Sequence, residues 1–135
     1  LYLGLKGPLV GTDHKESVIL KIANVNSLFI YDQIEDKNLS VWRSLKLESN
    51  GFTHQLTDMT LVDGRVYATT SCDGKKCGAV WRIGKEGAAE MLSFYQGIQP
   101  EGIAGDPKTA TLMVTFDSKK KGAKYTRVSL KGVVD

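Results

Sequence analysis

The stretch from Thr57 to Ile83, TDMTLVDGRVYATTSCDGKKCGAVWRI, and the stretch from Glu101 to Leu130, EGIAGDPKTATLMVTFDSKKKGAKYTRVSL, follow one plan. Each runs strand, tight turn, strand, polar Gly-containing loop, strand. Internal repetition of this kind restricts the fold sharply, because a unit so small cannot bury its apolar face alone and must stack on its neighbours. Setting Met59 against Ile103 places Thr57 opposite Glu101 and Asp58 opposite Gly102. A third copy opens the chain as LYLGLK and SVILKI, without the leading strand. Apolar residues alternate with the period of a strand: Leu1, Leu3 and Leu5 share a face, as do Val66, Ala68 and Thr70, and Leu112, Val114 and Phe116. Asp63-Gly64 and Asp106-Pro107 supply the turns, Gly by accepting positive φ and Pro by fixing φ.

Between the copies, NSLFIYDQIEDKNLSVWRSLKL and AAEMLSFYQG read as outer strands, the first carrying the charged insertion YDQIEDKN. A unit of about four strands and about 40 to 50 residues is the signature of a β-propeller blade. The expected fold is therefore all-β, a propeller segment of about three four-stranded blades at residues 1–50, 51–97 and 98–135. An antiparallel β-sandwich or an open barrel is the alternative, since similar hairpins also arise from a small alphabet of strands and turns. Propeller rings usually close with at least about four blades. The chain is thus expected to be the C-terminal part of a larger propeller, closed by missing blades or by a partner chain, and its start at Leu1 reads as a mature piece or fragment.

The resemblance to known proteins rests on LYLGLKGPL with ILKI, on TDMTLVDGRVYATTS, and on PEGIAGDP with LMVTFDS. These resemble the last blades of an uncharacterised bacterial β-propeller family, a domain of unknown function in the general style of esterase-like, phytase-like and lactonase-like propellers. The resemblance implies the fold and an exported location, and no established substrate. Fold alone does not give function.

Charge narrows the partners. The 18 basic and 15 acidic residues leave a net charge of +3, so attraction for anions must come from local clusters and nucleic acid is not an expected partner. No apolar run approaches the roughly 20 residues of a membrane span. Cys72 and Cys77 flank a hairpin tip at disulfide distance, which predicts a bridge and a periplasmic or secreted location, with free surface thiols as the alternative. His14 and His54 lie far from each other and from the cysteines, which argues against a zinc site.

In a propeller the innermost strands start on the face where the second-to-third-strand loops lie. Asp58, Glu101, Asp73 and Asp117 are expected to gather there with Lys6, His14, Lys15, Lys75, Lys76, Lys119, Lys120 and Lys121. Asp58 and Glu101 are candidate Ca²⁺ ligands. A hard cation takes six to eight oxygens, so missing blades would complete the set of a Ca²⁺-supported phosphoester or lactone hydrolase. Lys6, Lys75, Lys76, Lys119, Lys120 and Lys121 are candidates for holding a small anionic ligand such as phosphate, or an acidic glycan. The plainer readings are a solvated lysine face and a Glu101 that caps a turn. Trp42 and Trp81 read as blade-packing residues, and His54, just before an inner strand, as structural or as a general base. No nucleophile elbow, phosphate loop, dinucleotide fingerprint or complete EF-hand is present, and Asn38-Leu39-Ser40 is a glycosylation sequon only in a eukaryotic secretory host. The leading expectation is a ligand-binding or interaction propeller, with the hydrolase and a structural assembly scaffold as alternatives.

Overall fold

A computed structural model describes residues 1–6, 16–118 and 122–133. These residues are all-β, in three antiparallel sheets. The first sheet has the order β1 (Tyr2–Gly4), β2 (Ser17–Ile22), β3 (Leu39–Leu45). The middle sheet follows chain order through β4 (Glu48–Ser49), β5 (Phe52–Val62), β6 (Arg65–Cys72), β7 (Cys77–Ile83) and β8 (Ala89–Gln96). The third contains β9 (Pro100–Asp106), β10 (Thr111–Phe116) and β11 (Lys124–Ser129). An antiparallel barrel or sandwich, the alternative expectation, fits this arrangement.

The repetition seen in the sequence extends to backbone detail. Met59 faces Ala68 across the β5–β6 ladder, and its counterpart Ile103 faces Val114 across β9–β10. Both ladders slip at the aligned position. Thr57 is the extra residue between Leu56 and Asp58, and Glu101 the extra residue between Pro100 and Gly102. Such a bulge bends the strand and re-aims the side chain that it carries. The outer strands repeat the device, with Trp42 extra in β3 and Leu92 extra in β8. Lys21, Arg82 and Arg127 occupy one position near the ends of β2, β7 and β11, facing Tyr2, Tyr67 and Met113.

Two apolar cores hold the sheets face to face. Ile19, Leu45, Leu47, Leu56, Ala68 and Trp81 form one between the first and middle sheets. Val62, Tyr67, Val80, Ile103, Leu112 and Val114 form the other between the middle and third. The middle sheet is thus covered on both sides, and β6 and β7 are nearly continuously buried. Small residues permit the approach: a Cβ on Gly105 would collide with Val62, and one on Gly78 with the Thr70 carbonyl. Asp63 and Gly64 both adopt positive φ, the two-residue turn that matches strand twist. At the corresponding turn of the third sheet the Asp106 carboxylate accepts from the Lys108 amide and the Thr109 hydroxyl, which hold its carboxyl below the ordinary value.

Two expectations are corrected. Residues expected to begin an outer strand form a short helix, α1 (Val25–Tyr31), flanked by Asn24 and Asp32 in left-handed backbone. The edge of β2 is already taken by Leu39–Leu45, so the apolar SLFIY segment has no ladder to join and leaves Phe29, Ile30 and Tyr31 exposed. The second inner strand starts earlier than TDM, at Phe52, so His54 lies within β5. An Asn50-Gly51 turn, both residues at positive φ, folds β4 back on it.

Candidate functional site

The hairpin tips and inner-strand starts share one end of the sheets. The Asp73 amide donates to Thr53 O and the Asp117 amide to Gln99 O, each continuing a ladder past its strand end. The tip of the β6–β7 hairpin is tied to the approach to β9: the Gly97 amide donates to Lys76 O and the Gln99 side chain to Lys75 O. The Cys72–Cys77 disulfide closes this tip, with a Cα–Cα distance of 5.2 Å. Lys75 and Lys76 are exposed on it, and Lys6 is exposed just past β1, at the equivalent end of its sheet. His14, Lys15, Lys119, Lys120 and Lys121 lie outside the described residues.

The two candidate carboxylates part company. Because Glu101 is the bulged residue of β9, it turns outward and lines an open depression with Phe116, Asp117, Ser118, Gly122 and Ala123. Asp58 instead clamps β5 to β9. Its Oδ1 accepts the Met59 amide at 2.8 Å and its Oδ2 the Ile103 amide at 2.9 Å. The Thr57 hydroxyl adds a bond to Pro100 O at 3.0 Å. Among the described residues, no three His, Cys, Asp or Glu side chains are grouped to hold a metal ion.

His54 is buried in a polar chain crossing the middle sheet. Trp81 Nε1–H donates to Thr70 Oγ1 at 2.8 Å, Thr70 stands 2.9 Å from His54 Nδ1, and His54 Nε2 stands 2.9 Å from Ser49 Oγ. The Thr70 hydroxyl, which accepts from Trp81, also lies 3.4 Å from the Ala79 carbonyl as a donor. Burial lowers the His54 pKa below its ordinary 6.5, against a smaller upward effect of the Ser49 backbone. The neutral ring this favours carries one donor and one acceptor nitrogen, matching its two hydroxyl neighbours in either tautomer. A hydroxyl, where a catalytic base would have a carboxylate, orients the ring. The chain therefore links β4, β5, β6 and β7, and the Asn50-Gly51 pair was the sequence signal for its Ser49 end.

Two clefts were not visible in the sequence. An apolar cleft of about 520 Å³ runs beside β1, lined by Leu1, Leu3, Trp42, Leu56, Met59 and Leu61. A second, of about 720 Å³, opens at the turn end, opposite the hairpin tips. Trp42, Arg43, Arg65, Arg82 and Lys85 line it with Gly64 and Gly84. Its basic residues come from β3, from the starts and ends of β6 and β7, and from the following turn, too far apart in sequence to form a motif. Comparison with known protein families, curated proteins and solved structures finds no match.

Proposed function

We propose that this chain is a three-blade segment of a larger β-propeller of the uncharacterised bacterial type, and that it acts as an exported ligand-binding or interaction module. The order of strands supports the propeller: the middle sheet has the four-strand meander β5 to β8, the first matches its last three strands, and the third its first three. Further strands, from missing blades or a partner chain, would complete the edges, and the apolar cleft beside β1 lies where β5 would have its counterpart. The disulfide favours an oxidising compartment. No described helix is long and apolar enough to cross a membrane.

The observation that carries the binding reading is the gathering of exposed Lys75, Lys76, Glu101 and Asp117 at the hairpin-tip end. Broad, exposed lysines suit an extended acidic ligand, and a uronic-acid oligosaccharide is the probe. Calorimetry should show saturable binding that weakens when Lys75, Lys76, Lys119, Lys120 and Lys121 are changed to Gln, with a shallower salt dependence. An unchanged affinity and salt slope would reject the lysine face. A second reading, a Ca²⁺-supported hydrolase of a phosphoester or lactone, draws on Glu101 and Asp117 lining one depression. Asp58 already spends both oxygens on amides, so most ligands would have to come from other blades. Absence of Ca²⁺ heat in the complete propeller would remove that reading and leave the binding module or a structural scaffold.

A further inference from the structure

The basic cleft at the turn end lies apart from the hairpin-tip face and serves neither reading above. We propose that it binds a compact multivalent oxyanion of the pyrophosphate class, held by Arg43, Arg65, Arg82 and Lys85 against the wall formed by Trp42.

Four cationic side chains converge on a space of about 720 Å³, within the size range of small-molecule sites. Arg82 is paired with Glu90 at 2.6 Å, which orients its guanidinium and offsets part of its charge, and Arg65 has interactions of its own. Arg43 is held by its own neighbour. Its guanidinium carbon stands 4.6 Å from the centre of the Trp42 ring, and Nη1 donates to the Trp42 carbonyl at 2.8 Å. Its Nε is buried without a hydrogen-bond partner. Burial of Nε holds the guanidinium in place, and an oxyanion in the cleft offers charge-assisted acceptors to the outer guanidinium nitrogens. Fixed guanidinium groups suit such an anion because their planar forks present paired donors and lose little freedom on binding. Gly64 and Gly84 line the cleft without side chains of their own. Gathering like charges is unfavourable in the empty cleft, and a multivalent anion relieves several of these repulsions at once.

The probe is pyrophosphate, titrated into the full chain at about 20 and about 200 mM salt, a range over which screening changes strongly. Saturable binding is expected, tighter than for inorganic phosphate by about tenfold. Arg65→Gln with Lys85→Gln should weaken it by about tenfold or more and flatten the salt dependence. Trp42 should report occupancy by a fluorescence change that is lost in Trp42→Phe, while buried Trp81 stays silent. Lys75→Gln with Lys76→Gln, at the other end, should leave pyrophosphate binding unchanged while weakening the oligosaccharide. Unfolding midpoints near wild type establish that the variants are folded, and Lys85→Gln alone serves if the pair is not. No saturable binding, full affinity in the cleft variant, or equal loss in both lysine and cleft variants would overturn the proposal.

Discussion

Thr70 accepts the indole proton of Trp81 and contacts His54, so its hydroxyl serves two buried groups. Thr70→Ala should cost about 2 to 4 kcal/mol in urea unfolding, because both partners lose their bonds inside the core. Thr70→Ser, which keeps the oxygen, should retain most of the stability. A Thr70→Ala midpoint equal to wild type would show that the chain of bonds contributes nothing. The depressed His54 pKa has a definite sign in stability. The unfolded chain takes up the proton more readily, so the stabilisation is complete above about pH 6.5 and is lost as pH falls through the folded value. Unfolding free energy should decline below that pH with a slope of at most about 1.4 kcal/mol per pH unit from this group, and His54→Asn should remove that component. Asp106 adds a fall in the same direction at lower pH, since its folded carboxyl also lies below its ordinary value. Asp58 is tested by Asp58→Ala, which should destabilise by about 1 to 3 kcal/mol with or without Ca²⁺, as expected of a clamp on the Met59 and Ile103 amides.

At the level of elements, the β6–β7 hairpin combines a covalent closure with hydrogen bonds to the next connection. Cys72 and Cys77 are separated by 5 positions, so the loop-closure argument gives the bridge about 2 kcal/mol. Cys72→Ser with Cys77→Ser should lower the guanidinium midpoint accordingly. It should also speed hydrogen exchange at the Gly97 amide, which bonds to Lys76 O, while the Gly84 amide, bonded to Ala88 O at the other end, stays protected. Equal change at both amides would mean that the disulfide supports the whole sheet, not its tip. The packing of β9 on the middle sheet depends on Gly105, where an added Cβ would enter Val62. Gly105→Ala should destabilise strongly, and Gly105→Ala with Val62→Ala should lose less than the two single changes together. The repeated hairpins were legible because period-two alternation and turn residues are local. The helix α1 was not, because whether SLFIY can extend as a strand depends on which segment already occupies the edge of β2.

For the whole molecule, the middle sheet separates two cores that share no residue among those described. Leu45→Ala removes a fully buried side chain from one and Leu112→Ala from the other, and each should cost about 2 to 5 kcal/mol. Their effects should add to within about 0.5 kcal/mol if β6 and β7 form a stiff partition. A larger discrepancy would show strain passing through the small residues Ala68, Ala79 and Gly78. The same layering explains why the sites were unevenly legible. Glu101 and Asp117 line one depression because both lie at neighbouring strand ends. The Arg43, Arg65, Arg82 and Lys85 cluster was hidden, because it forms between two sheets whose approach no local pattern encodes.

The sequence by itself determined most of the strands, the turns between paired strands, the register of the repeat down to the Thr57 and Glu101 correspondence, and the Cys72–Cys77 pairing. Each of these follows from residues close in the chain or repeated along it. Only the tertiary structure decided that Asp58 clamps neighbouring strands, that His54 joins Ser49, Thr70 and Trp81, and that opposite ends of the sheets carry different chemistry. Those outcomes depend on how face-to-face packing brings distant side chains within hydrogen-bond reach, and pairwise distance across sheets is information that alternation and spacing do not contain.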